Sequence, residues 1–229
     1  MTQKLLKRLG VDIDPETLSL ALTHRSYSYE HGGIPHNERL EFLGDSVLGL
    51  SVTDRLYRSF PDLAEGELAK RRSAVVSTQA LAQIAKGIDL GENIKLGKGE
   101  EMTDGRQKAS ILADTMEAVI GAAYLSCGPE KAKELVLRLT QPLIENTEHL
   151  MASLDWKTSI QEFASSQQLG EVDYHIKSTG PDHAKAYEAE IFIAGKKIAT
   201  GSGSSKKEAE KNAAQDAWKL LNKDTETQN

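Results

Sequence analysis

A mostly α-helical domain followed by a small α-β-β-β-α module is the fold predicted for this chain of 229 residues. Three observations carry that prediction. Up to about residue 147 the apolar residues recur at helical spacing. Beyond about residue 156 they alternate with period two in three short runs. Between these regions, within residues 148–156, the pattern changes. We therefore expect a helical domain over 1–147, a linker over 148–154, the mixed module over 155–222 and a polar tail over 223–229.

The totals bound what such a chain can be. Its length suffices for two cores. The most apolar run, residues 113–125, is too short to cross a bilayer and contains acids, so no membrane partner is expected. The opening MTQKLLKRLG is basic and amphipathic and reads as a helix rather than a leader. A single cysteine, Cys127, excludes an intrachain disulfide and a cysteine-based metal site, and fits a reducing cytoplasm. The net charge is −6. Residues 1–150 carry 18 Lys and Arg against 22 Asp and Glu, and residues 155–222 carry 9 against 10. Neither half is basic, so a nucleic-acid partner has to be argued from local clusters.

Taken in order, the elements follow from local signals. Asp14-Pro15-Glu16 is a helix start, with a capping acid and a proline at the first position. His24-Arg25-Ser26-Tyr27 reads as a hydrogen-bonded corner, and Gly32, Gly33 and Pro35 as a loop. A long helix runs to about Arg58 and is broken by Pro61-Asp62. Glu65-Gly66-Glu67 opens the next, with Lys70-Arg71-Arg72 toward its end, an order that suits the helix dipole. Ser77-Thr78 is a new cap. Gly87, Gly91, Gly97 and Gly99 punctuate a loop-rich stretch, in which LGKGEE lacks the Lys-Ser or Lys-Thr of a phosphate loop, so no organic cofactor is expected. An apolar helix over about 108–126 ends at Gly128-Pro129, and a last helix reaches about Thr147. The second module begins with a helix over 158–168. Strands follow around Val172, Tyr174 and Ile176, around Tyr187, Ala189, Ile191 and Ile193, and over 198–201. Ser204 or Ser205 then caps a helix to Leu221.

The chemistry concentrates in residues 37–50, NERLEFLGDSVLGL. Glu38, Glu41 and Asp45 stand at i, i+3, i+7, within an arc of roughly 60° on one helix face. Leu40, Leu43, Val47 and Leu50 repeat at helical spacing and are expected to face the core. Acids on a helix are usually its solvated face, but a second stretch shifts the balance. Asp114 and Glu117 sit at i, i+3 inside ILADTMEAVIGAAYL, where an unpartnered carboxylate is costly. Two helices offering acids from such a seam are the walls of a site for a hard divalent cation with oxygen ligands. Two such ions can activate water, neutralise a phosphate oxygen and stabilise a leaving oxygen. None of the six histidines is expected in the seam.

The second module resembles the double-stranded RNA-binding domain family in KTSIQEFA, GPDHAKAYEAEI and SSKKEAEKNAA, three regions in the family's order. The resemblance implies that Thr158, Gln161 and Glu162 contact one minor groove and Pro181, Asp182 and His183 the next. Lys206, Lys207 and Lys211 would hold the phosphates between them. Such reading by shape is what the hidden major groove of A-form RNA requires.

NERLEFLGDSVLGL in turn resembles the signature of the ribonuclease III family, and the likeness extends over essentially the whole chain. It implies a homodimeric, Mg²⁺-dependent endonuclease, with Mn²⁺ a substitute, that cuts both strands of double-stranded RNA. The products would carry 5′-phosphates, 3′-hydroxyls and short 3′ overhangs. Ribosomal precursors and structured messenger or small RNAs would be its substrates. Carried over by position, Glu41, Asp45, Asp114 and Glu117 match the metal cluster, with Asp45 and Glu117 the indispensable catalytic pair. Glu38 and Glu65 match further catalytic-centre acids that position RNA or water. Phe42 matches a dimer contact, the alternative being a plain core aromatic. Two other readings stay open at this point: an RNA-binding regulator whose acids are structural, and a phosphohydrolase acting on small phosphates.

Overall fold

The computed structural model describes residues 2–147, 150–151, 156–180 and 185–226. The chain divides into two compact units, Met1–Thr147 and Glu148–Asn229.

The first unit is helical: α1 (Thr2–Leu9), α2 (Pro15–Ala21), α3 (Arg25–Glu30), α4 (Glu38–Ser59), α5 (Glu65–Val75), α6 (Thr78–Gly87), α7 (Lys98–Met102) and α8 (Ala109–Glu145). The local signals act as expected. The Asp14 carboxylate accepts the Thr17 N–H at 2.9 Å ahead of Pro15, and the Ser77 hydroxyl accepts the Ala80 N–H at 3.3 Å. Short 3-10 turns, Leu90–Asn93 and Gly105–Gln107, bracket α7 in the glycine-punctuated stretch. Within α8 the backbone is non-helical at Gly128, with φ 83° and ψ 172°, so the span is two helices meeting at a kink where the break at Gly128-Pro129 was expected. By length and composition the whole of α8, longer than the run over 113–125, could cross a membrane. In the fold it is the core helix, packed against α2, α4, α5 and α6, with 61% of its most apolar window buried.

The core face of α4 differs from the expected leucine row. Leu40, Gly44, Leu48, Ser51, Val52 and Leu56 are buried, Leu43 and Val47 are only half-buried, and Leu50 is 73% exposed. The cause is a glycine at the crossing with α8, which turns the small residue rather than the leucine row inward.

The second unit comprises α9 (Trp156–Ser166), β1 (Val172–Thr179), β2 (Ala186–Ile193), β3 (Lys196–Gly203) and α10 (Lys206–Glu226). The strands form one antiparallel sheet in the order β1-β2-β3, with Val172 opposite Ile193 and Ala189 opposite Gly201. Trp156, Ile160 and Ala164 of α9 pack with Ala189, Ile191 and Ile193 of β2 and with Ala209, Ala213, Ala214 and Ala217 of α10. A side chain at Gly201 would stand 2.1 Å from the Ala213 nitrogen, so β3 lies directly on the alanine face of α10. Helix α10 runs past Leu221 to Glu226, so the expected polar tail is helical through that residue.

Candidate metal centre and nucleic-acid interface

The centre is built where α4 crosses α8. A Cβ on Gly44 would lie 1.8 Å from the Glu117 carbonyl oxygen, and one on Gly121 would lie 2.3 Å from the Leu40 carbonyl oxygen. The two helices therefore meet backbone to backbone. Side chains flanking the crossing converge: Glu41 and Asp45 on either side of Gly44, Glu117 one turn before Gly121, and Asp114 one turn before Glu117. One carboxylate oxygen from each of Glu41, Asp114 and Glu117 lies within 4.8 Å of the others, all three residues being half-buried. Asp45 is exposed and outside that triplet, but its charge bears on both Glu41 and Glu117.

The electrostatics are those of a site awaiting positive charge. Burial, then the Asp45, Asp114 and Glu41 charges, push the Glu117 carboxyl up to about 8. Burial raises Glu41, reinforced by Asp114 and Glu38, and burial also raises Asp114. Carboxylates gathered this closely ionise together only when a cation compensates them. An all-oxygen donor set from two rigid helices fits a hard divalent ion such as Mg²⁺.

Around this triplet the sequence expectations divide. Glu38 borders it, contributing to the charge around Glu41 and Asp114. Glu65 does not join it within this chain. It stands at the start of α5 and lines a separate cavity of about 370 Å³ with Thr53, Leu56, Tyr57, Leu63, Leu68, Ala69 and Arg72. Asn37 is buried, and its amide nitrogen finds no partner among the described residues. The triplet itself holds carboxylates alone, and a histidine stands close by. His24 is close enough for Asp114, Glu38 and Glu100 to act on it, though burial is the largest influence and lowers its pKa. Its Nδ1 accepts the Ser26 N–H at 3.2 Å and caps α3. Ser26 in turn accepts the Gly97 N–H at 2.9 Å. This corner is also tied to the stretch before α7 by a pairing of residues 23 and 95 that no local spacing announces.

In the second unit Thr158, Gln161 and Glu162 are exposed on α9, and Lys206, Lys207 and Lys211 are exposed in the first turns of α10. Pro181, Asp182 and His183 lie outside the described residues. The two acids among the lysines are engaged within the module. Glu208 folds back onto the helix start, where it accepts the Ser204 N–H at 2.7 Å and the Ser204 hydroxyl, bonds that hold its carboxyl below the usual range. Glu210 pairs with Lys157 at 2.7 Å. The lysine edge and the positive helix terminus thus face solvent together, which suits a phosphate backbone.

Phe42 is 78% exposed, which rules out the core-aromatic alternative. Leu50 and Tyr57, also exposed, share its side of α4 within an arc of about 80°. An apolar stripe along a helix of 22 residues is the kind of patch that marks an association surface.

Comparison with known proteins agrees with both units. Residues 14–143 match the family model described as Ribonuclease-III-like, and residues 156–221 match the double-stranded RNA binding motif. Ribonuclease 3 of Thermobifida fusca is 56% identical over 95% of this chain and 91% of its own. Ribonuclease 3 of Streptomyces coelicolor is 58% identical over 93% of this chain and 78% of its own. Among solved structures, a nuclease domain of ribonuclease III from Campylobacter jejuni is 41% identical with a TM-score of 0.59, over 62% of this chain and 97% of that one. That structure is described as flexible in a region involved in dimer formation.

Proposed function

Since the chain belongs to the ribonuclease III family, we propose that it is a divalent-metal-dependent endoribonuclease that cuts both strands of double-stranded RNA. The observation that carries this reading is the convergence of Glu41, Asp114 and Glu117 at the α4–α8 crossing, in a chain that also bears a double-stranded RNA-binding motif. Glu41, Asp114 and Glu117 would hold Mg²⁺, or Mn²⁺ in its place, with Asp45 at the solvent side. Bound there, the metal supplies the positive charge that neutralises a phosphate oxygen and makes water acidic enough to act as nucleophile. The protein's own part is to fix the carboxylates on two packed helices and to release the Glu117 proton as the site loads. Glu38 lies on the solvent side of the cluster, where RNA or water would be oriented. Glu65 would act from its separate cleft, a place that a second protomer's RNA strand could reach. The free thiol of Cys127 suits a reducing cytoplasm.

In the RNA-binding unit, Lys206, Lys207 and Lys211 would grip phosphates while Thr158, Gln161 and Glu162 meet a minor groove. Pro181, Asp182 and His183 would complete the contact in the next groove. Replacing the three lysines by alanine is expected to weaken duplex binding and to flatten the log–log dependence of affinity on salt by about 2–3. Filter binding over a salt series reads both effects. An unchanged slope would remove the lysines from the interface.

The apolar stripe supports a homodimer through α4. Phe42→Ala combined with Tyr57→Ala is expected to raise the dimer dissociation constant by at least about tenfold, since truncation of buried aromatic anchors costs about 2 kcal/mol or more. Sedimentation equilibrium measures it, and an unaltered dimer would place the interface elsewhere.

Mapping the ends of products from a long duplex tests the reaction itself. The reading requires 5′-phosphate and 3′-hydroxyl ends with short 3′ overhangs, as processing of ribosomal precursors and structured messenger or small RNAs would demand. Release of phosphate from mononucleotides with no duplex cleavage would overturn it.

A further inference from the structure

Beside the acid cluster lies a cleft of about 580 Å³ between α3 and α7, lined among others by His24, Arg25, Tyr29, His36, Glu38 and Glu100. Glu38 belongs to both: it walls the cleft and adds its charge to that of the cluster. Arg25 is the cation of this cleft. Its backbone is fixed, because it begins α3 directly after the His24 cap that Ser26 and Gly97 lock in place. Its guanidinium is not fixed. It approaches Glu38 at 3.5 Å, with the two side chains 73% and 49% exposed. Such an exposed pair is weak and exchangeable. The neighbouring acids have partners of their own: Glu100 is held by Lys108 at 2.7 Å, though the Arg25 charge also acts on it, and Glu30 accepts the Lys98 N–H at 3.0 Å. Its charge reaches deeper than Glu38, opposing the rise in the pKa of Glu41 and Asp114 that burial causes.

We propose that Arg25 serves two partners in turn: the Glu38 carboxylate at the edge of the cluster in the metal-free protein and, once a cation occupies the cluster, a phosphate of the RNA strand lying in the α3–α7 cleft next to the cut. The proposal rests on the nuclease reading above. A rigidly based, loosely held guanidinium presents the fork of donors that matches a phosphate, and it is free to leave Glu38 when the local negative charge falls. The same charge that would favour RNA opposes cation binding, so the two effects of removing it have opposite signs.

The test uses the full chain carrying Arg25→Gln. Mn²⁺ titrated without RNA and followed by electron paramagnetic resonance should bind about two- to fivefold more tightly than in the unsubstituted chain, because a competing positive charge is gone. The KM for duplex RNA should rise by about fivefold, and the log–log slope of kcat/KM against salt should flatten by about 1. Arg25→Lys, which keeps the charge but not the fork, should restore the salt slope and only part of the KM. Weaker Mn²⁺ binding would make Arg25 a structural prop of the cluster and overturn the proposal. An unchanged KM and slope, with duplex cleavage intact in the unsubstituted chain, would overturn it alone. Absence of duplex cleavage in the unsubstituted chain would overturn the nuclease reading and this proposal with it.

Discussion

Glu117→Gln should abolish Mg²⁺-dependent cleavage, by about 10³-fold or more, and at the same time make the metal-free protein more heat-stable at pH 8. The first effect follows from removing a charged oxygen ligand from a site whose metal supplies several kcal/mol of transition-state stabilisation. The second follows from the field around it. Folded Glu117 keeps its proton up to about pH 8, against an ordinary value of 4.5. Between those values the native state binds more protons than the unfolded chain, so the stability of the metal-free protein falls as pH rises. The contribution is whole below about pH 4.5 and is lost by about pH 8. Full conversion of the shift would overstate it, because solvent reaches this half-buried site; about 2 kcal/mol is the fitting scale. For a domain of this size that is roughly 4–8 °C in Tm. Calorimetry of metal-free protein at pH 5 and pH 8 checks it: the gap between wild type and Glu117→Gln should open toward pH 8. A variant that is inactive but equally stable at both values would mean that Glu117 carries no excess charge in the fold.

The other large effect belongs to a residue without a side chain. Gly44→Ala would place a methyl group 1.8 Å from the Glu117 carbonyl oxygen, 2.6 Å from its carbon and 2.9 Å from the Gly121 nitrogen. These are backbone atoms of a packed helix, so no rotamer change relieves the contact and the helices must separate. Overpacking of this kind costs about 3 kcal/mol, against the roughly 1 kcal/mol that alanine gains over glycine in a helix. Separation also spreads the carboxylates, which stand on opposite walls of the crossing. We expect Gly44→Ala to lower Tm by about 4–8 °C, the net of the two, and to weaken Mn²⁺ binding by about tenfold or more. Gly87→Ala is the control, since a Cβ there meets nothing within 4 Å. Equal behaviour of the two variants would remove the glycine crossing from the account.

These two cases show where sequence reading succeeds and where it stops. The spacing of Glu38, Glu41 and Asp45, like that of Asp114 and Glu117, is a local periodicity, so the acids' shared faces were legible residue by residue. That Gly44 and Gly121 bring those faces together was not, because a close approach of two helices is a property of the pair. The same gap explains Leu50. Periodicity finds an apolar side of α4 but not which small residue the partner helix selects, and that choice turns Leu50 outward beside Phe42 and Tyr57. The nearness of His24 to Asp114 is likewise a product of tertiary packing that no local spacing shows. Glu65 was legible as an acid at a helix start but not as one that faces a different cleft. In the second unit the alternating strands and the lysines of α10 were plain. The engagement of Glu208 and Glu210, which leaves those lysines facing solvent, depends on Glu208 folding back to Ser204 and on Lys157 reaching across from α9.

The central claim is that carboxylates meeting at one helix crossing, joined to an RNA-binding module, make a metal-dependent cutter of duplex RNA. Its most direct test is to incubate an end-labelled RNA duplex with the purified chain, with and without Mg²⁺, beside a single-stranded RNA of the same sequence. The account predicts cleavage of the duplex alone, only with the metal, and lost in Glu117→Gln. Binding of the duplex without cutting in Mg²⁺ or Mn²⁺, or equal cutting of the single strand, would contradict it.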